Sequence, residues 1–195
     1  MMHLMEITPD TYDPTLEWGD EVRCLPNYFT KHTTITWNDI VPMWQEERNN
    51  DFLRMLTPPN EMVVENTIKY DGETDNPDLA FAIDRQVIMP TIVTHTKDHL
   101  NDHVKQVCEE AFDLKLSNLH IYSNVMAESY IFKSHRDAHS IMLVQCIGMS
   151  EYQFEDGSCH QLQPGDGLYI PRGIYHAPRV FGPRVTFSYN WHYLR

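Results

Sequence analysis

In the second half of this chain, apolar residues alternate with polar ones over short runs. The runs span residues 119–125, 130–135, 141–147, 151–154, 161–162, 167–170, 175–180 and 184–191, separated by turn chemistry such as Asp156-Gly157-Ser158 and Gly165-Asp166. Short strands at this regular spacing predict a β-sandwich or barrel. The first half reads differently. Thr36 is placed to cap a helix over residues 37–56, with Asp39 three residues on and Ile40, Trp44, Phe52, Met55 and Leu56 as its buried stripe. Thr57-Pro58-Pro59-Asn60 would end it. Residues 61–70, 79–83 and 86–94 read as extended, around a polar stretch at 71–78. Leu100, Val104, Val107 and Ala111 fall on one face of a second expected helix over residues 97–112. Residues 1–35, with Pro9, Pro14 and Pro26, show little periodicity and read as an irregular arm.

Composition narrows the class. A chain of 195 residues is expected to be one domain: residues 1–116 as arm, helices and supporting strands, and 117–195 as the β-strand core. Hydrophobic content of 42% and charged content of 22% are ordinary for a globular protein. No run approaches the ~20 apolar residues of a membrane span, so no membrane partner is expected. The start, Met1-Met2-His3-Leu4-Met5-Glu6, does not read as a signal peptide. Cys24, Cys108, Cys146 and Cys159 are scattered without a C-x2-C pair, which argues against a disulfide framework or zinc ribbon and points to a reducing, cytoplasmic setting. Net charge is −13, and the Lys and Arg residues form no cluster of four, so nucleic acid is not expected as a partner.

The chemistry concentrates between His135 and His176. Two histidines and one carboxylate on one face are what a non-haem Fe(II) centre uses, leaving positions open for substrate and oxygen. On an extended segment His135 and Asp137 point the same way, roughly 6–7 Å apart along the backbone, within reach of one ion. His139 competes as a ligand, but it would lie ~13 Å from His135 on the same extended path. Pro171-Arg172-Gly173 is turn chemistry, with Pro presetting φ and Gly tolerating positive φ, and it delivers His176 to the mouth of a barrel. His99 and His103, four apart on the expected second helix, have no acidic partner between them and read as a solvated face.

Gly165, Pro171, Gly173 and His176 reproduce the second cupin motif, G-x5-P-x-G-x2-H. His135-x-Asp137, Gln145-x-x-Gly148 and the stretch Pro164-Gly165-Asp166-Gly167-Leu168-Tyr169-Ile170-Pro171 resemble the Jumonji-C and ribosomal-oxygenase branch of that superfamily. The resemblance covers residues 119–191. It implies an all-β core with flanking helices, a double-stranded β-helix or jelly roll. It implies an oxygenase using Fe(II), held by His135, Asp137 and His176, and 2-oxoglutarate, and acting on a protein side chain or a small molecule. In those relatives a Lys or Arg about fifteen residues past the His holds the far carboxylate of 2-oxoglutarate; here that position is Ser150. Other oxygenases of the wider superfamily place an Arg eight to eleven residues past the distal His, which matches Arg184. Tyr152 is expected to add a phenolic hydrogen bond to that carboxylate, while Tyr122, Asn124 and Trp191 are candidates to line the cavity. Two other readings stay open: a metal cupin acting without 2-oxoglutarate, as a dioxygenase or isomerase, and a non-catalytic cupin-fold binding protein. A homodimer also stays open.

Overall fold

A computed structural model of the chain describes residues 5–6, 19–49, 53–56, 63–65, 91–94, 117–126 and 133–191. In chain order the elements are β1 (Met5–Glu6), β2 (Arg23–Leu25), a 3-10 turn (Thr30–His32), α1 (Trp37–Asn49), β3 (Leu53–Leu56), β4 (Val63–Glu65), β5 (Thr91–Thr94), β6 (Ser117–Asn124), β7 (Ser140–Ile147), β8 (Ser150–Phe154), β9 (Cys159–Leu162), β10 (Gly167–Ile170), β11 (His176–Val180) and β12 (Arg184–Trp191). Nine strands form one sheet in the order β1-β2-β10-β7-β12-β6-β5-β3-β4, and β11-β8-β9 form a second. All neighbours pair antiparallel except β1 and β2. The core is the expected jelly roll.

Alternation along the strands divides the large sheet into two faces. One face carries Leu119, Ile121, Met142, Val144, Tyr169, Val185, Phe187 and Tyr189, and packs against Phe29, Ile35, Ile40 and Met43. The other carries Ile141, Leu143, Leu168 and Ile170, and meets Tyr152, Phe154 and Leu162 of the small sheet. Leu168 and Met142 are wholly buried, each contributing roughly 1.5–3 kcal/mol of apolar burial.

The N-terminus of α1 forms as the residues predict. Asp39 Oδ2 accepts from the Thr36 backbone N–H at 2.8 Å and from Thr36 Oγ1 at 2.7 Å, a capping box written with Asp. The C-terminal boundary is a correction. The helix ends at Asn49 rather than at residue 56, and Leu53–Leu56 is a strand paired with Thr91–Thr94. Backbone pairing with a segment distant in sequence overrides the local helical stripe there. A second correction concerns the expected arm: Arg23–Leu25 is a strand on β10, and Met5–Glu6 pairs parallel beside it. The expected helix over residues 97–112, including His99 and His103, lies outside the described residues, as do 79–83.

Two turns position the site. Gly165 has φ +99, and a Cβ there would meet Thr30 Oγ1 at 2.7 Å, so only glycine fits. Asp166 anchors the same turn, its carboxylate accepting from the backbone N–H groups of Asn27 and Gln163, each at 2.8 Å. Gly148 has φ +68, and an added Cβ would overlap the Pro183 carbonyl, which explains the spacing Gln145-x-x-Gly148.

Candidate metal centre and the pocket behind it

The metal motif does not sit in a strand as expected. His135 makes a single antiparallel bridge to His176, and residues 136–139 form a loop before β7. The bridge is reciprocal: His135 N–H donates to the His176 carbonyl at 3.0 Å, and His176 N–H donates to the His135 carbonyl at 2.9 Å. The two rings lie side by side across the bridge, with centroids 4.5 Å apart and planes tilted by 55°. The Pro171-Arg172-Gly173 turn fastens the loop, since Gly173 N–H donates to the Asp137 carbonyl at 2.9 Å and Arg172 N–H to Ser140 Oγ at 3.2 Å. The second motif thus holds the first in place.

One ligand atom each from His135, Asp137 and His176 lies within 4.8 Å of the others. Asp137 Oδ2 is 3.5 Å from His176 Nε2. His139, the competing ligand, is exposed and is not in this group. Both imidazoles are oriented by backbone. His135 Nδ1 is 2.8 Å from the Lys133 carbonyl, and His176 Nδ1 is 3.0 Å from the Ile174 carbonyl. A carbonyl can only accept, so each Nδ1 carries the proton and each Nε2 presents a lone pair. That is the second-layer support metal-binding histidines use, and the donor set fits a divalent ion of the Fe(II) type.

The His176 ring is held below the ordinary histidine value of 6.5. Burial is the main cause, and a charge on His135 acts the same way; the Ile174 carbonyl and Asp137 oppose it. A histidine pKa lowered by folding means that the unfolded chain takes up a proton, as pH falls through 6.5, before the folded chain does. Stability of the metal-free protein is therefore expected to fall between about pH 7.5 and about pH 5.5. Urea unfolding midpoints at the two pH values check this, and the drop should be smaller in His176→Gln.

Behind the metal end lies a buried cation. Arg184 opens β12 and is 1% exposed. Its Nε donates to Asn124 Oδ1 at 2.7 Å, and its Nη1 contacts Thr186 Oγ1 at 3.3 Å and the Tyr152 hydroxyl at 3.5 Å. Asn124 in turn donates to Thr91 Oγ1 at 2.7 Å. All these acceptors are neutral, and no carboxylate among the described residues pairs with Arg184. Tyr152 comes from the small sheet and its ring lies 6.4 Å from that of His176, so it bridges the triad and the cation. Ser150, where the resemblance places a cation, is wholly buried and donates to Gln145 Oε1 at 2.7 Å.

The remaining candidates are placed as follows. Tyr122 is half-buried on β6 and its hydroxyl lies 3.4 Å from His120 Nδ1. It pairs with Thr186 and shares a face with Asn124, so it lines the same inter-sheet space. Two other cations near the motif stand apart from Arg184: Lys133 is exposed, and Arg179 pairs with Glu151 at 3.0 Å. The Trp191 side chain lies outside the described residues. Sequence reasoning missed His120 and Thr186. Their only signal was alternation in register with Asn124 and Arg184.

No family model matches the chain, and no curated protein matches it. Solved structures do. The ribosomal oxygenase YcfD of Escherichia coli superposes with a TM-score of 0.64 at 16% identity, over 93% of this chain and 52% of that one. YcfD in complex with cobalt and 2-oxoglutarate gives 0.61 at 17% identity, over 93% and 53%. The complex with cobalt and succinic acid gives 0.61 at 16%, over 93% and 52%. The chain spans about half the length of these proteins, and the likeness shows that it shares their fold. Among the described residues no helix is long and apolar enough to cross a membrane.

Proposed function

We propose that this jelly-roll protein is an Fe(II)- and 2-oxoglutarate-dependent oxygenase that hydroxylates a protein side chain or a small molecule. One observation carries the reading: a fully buried Arg184, without a carboxylate partner among the described residues, shares the inter-sheet space with a two-histidine, one-carboxylate group. Burying a lone charge is costly, and an anionic ligand offsets that cost. A metal cupin that does not use 2-oxoglutarate would gain from such a cation only if its own substrate were anionic. The complex of YcfD with cobalt and 2-oxoglutarate supports the same reading from the fold.

Bound Fe(II) and 2-oxoglutarate together supply oxygen activation and the oxidative decarboxylation that drives hydroxylation. The chain supplies the rest. His135 and His176 would hold the metal through Nε2, and Asp137 through its carboxylate. Arg184 would receive the far carboxylate of 2-oxoglutarate, with the Tyr152 hydroxyl as a second donor. Asn124 keeps the guanidinium in place. Ile141, Leu143, Leu168 and Ile170 form a dry apolar wall that strengthens these polar contacts.

The test is turnover of 2-oxoglutarate to succinate by the purified protein with Fe(II) and ascorbate, together with direct titration of 2-oxoglutarate into Co(II)-loaded protein. Saturable binding and metal-dependent succinate formation are expected. Metal binding without any 2-oxoglutarate binding would favour the rival reading, a metal cupin that does not use it, for which Ser150 is the motive.

A further inference from the structure

Gln145 lies at the centre of a buried polar relay that ends on Arg184. Its side-chain amide is fixed by geometry. Nε2 faces three carbonyls, those of Ile147 at 2.7 Å, Gly148 at 3.3 Å and Val185 at 3.4 Å. Carbonyls only accept, so the amide nitrogen must point at them and Oε1 must point the other way. Oε1 then receives two hydroxyls, Ser150 Oγ at 2.7 Å and Thr186 Oγ1 at 2.8 Å. Since the Thr186 proton is committed to Gln145, the Thr186 oxygen presents lone pairs to Arg184 Nη1, 3.3 Å away. Gln145, Ser150, Thr186 and Arg184 are all at most 1% exposed, so water does not compete for these groups.

The backbone is arranged around the relay. The register of β12 against β7 shifts between Val185 and Thr186, which sets Gln145 directly opposite Thr186. Bulges of this kind re-aim side chains beside functional sites. The Gln145 backbone also ties down the β10 turn, donating to the Asp166 carbonyl at 3.0 Å and accepting from Gly165 N–H at 2.9 Å.

We infer that Thr186, with its hydroxyl proton held by Gln145, is a positioning residue that fixes the plane of the Arg184 guanidinium and so sets affinity for the far carboxylate of the dicarboxylate cosubstrate. The inference rests on the oxygenase reading above. Asn124 on Nε and Thr186 on Nη1 constrain the guanidinium from two sides. Nη2 has no partner among the described residues and is the nitrogen left for a ligand. Without the Thr186 oxygen the group keeps Asn124 at Nε and only the longer, 3.5 Å contact of Nη1 with the Tyr152 hydroxyl, at a loss of preorganisation.

Thr186→Val keeps the shape and removes the hydroxyl; Thr186→Ser keeps the hydroxyl. Both are loaded with Co(II), titrated with 2-oxoglutarate, and followed by calorimetry and by the Co(II) absorption bands. Thr186→Val is expected to weaken 2-oxoglutarate about tenfold, as for loss of a hydrogen bond to a charged group, with Co(II) affinity unchanged and with KM rather than kcat affected. Thr186→Ser should stay within about twofold of the parent. Gln145→Met should weaken 2-oxoglutarate as well, and the double variant should be no worse than the weaker-binding single one, because both act through one relay. Equal binding by the parent and Thr186→Val overturns the positioning role while leaving the oxygenase reading intact. Fully additive losses in the double variant overturn the relay. A parent that binds no 2-oxoglutarate overturns both readings.

Discussion

Single replacement of His135, Asp137 or His176 by Ala is expected to abolish tight Fe(II) or Mn(II) binding, whereas His139→Ala should bind the metal as the parent does. Second-layer partners of metal ligands already change affinity by ~10–100-fold, so loss of a direct ligand should exceed that. The motive is geometric. The three donor atoms lie within 4.8 Å of one another, both Nδ1 positions are committed to carbonyls, and the rings are locked by the reciprocal bridge between His135 and His176. His139 belongs to the loop before β7 and is exposed. Metal titration followed by calorimetry, with far-ultraviolet circular dichroism to show that each variant folds, decides the assignment. Retained affinity in the His135 variant and lost affinity in the His139 variant would reverse it.

Arg184→Ala is expected to weaken 2-oxoglutarate by about 2–5 kcal/mol, the range seen when one partner of a buried charged pair is removed. Metal affinity should be unchanged, because among the described residues the guanidinium contacts no triad residue, and Tyr152 stands between them. Arg184→Lys should fall between the parent and the Ala variant. It retains the charge, but an ammonium cannot reproduce the planar fork that meets Asn124 and Thr186 together. Thermal shift gives a second measure. The parent should gain stability with added 2-oxoglutarate, and the Ala variant should not. An Ala variant that binds 2-oxoglutarate as well as the parent would remove Arg184 from the site.

Much of this was legible because it is local. The turns at Gly165 and at Pro171-Arg172-Gly173 are written in residues whose φ preferences dictate them, and the structure gives Gly165 and Gly173 φ of +99 and +80. The Thr36–Asp39 cap was legible for the same reason. The end of α1 was not. Leu53-Arg54-Met55-Leu56 continues a helical stripe, and only pairing with Thr91–Thr94 makes it a strand. The local conformation of the metal motif was also misread: the spacing of His135 and Asp137 fits a strand, but the loop is held by hydrogen bonds from Gly173 and His176, about forty residues on.

By itself the sequence determined a β-sandwich or barrel core and the chemical character of the triad, since alternation, turn residues and ligand types act over a few positions, and the motif resemblance narrowed that core to a jelly roll. It also singled out Arg184, through its distance from His176. Tyr152 and Asn124 were already candidates for that cavity, but how they and the other polar groups are arranged around Arg184 was decided only by the tertiary structure. Asn124, Gln145, Ser150, Tyr152 and Thr186 come from β6, β7, β8 and β12, and polar residues on a strand read as solvent-facing until a second sheet covers them. Packing β8 over the large sheet buries them together, and burial makes their mutual hydrogen bonds obligatory. A guanidinium that looks from the sequence like a strand-edge charge thereby becomes a buried charge whose hydrogen-bond partners among the described residues are all neutral.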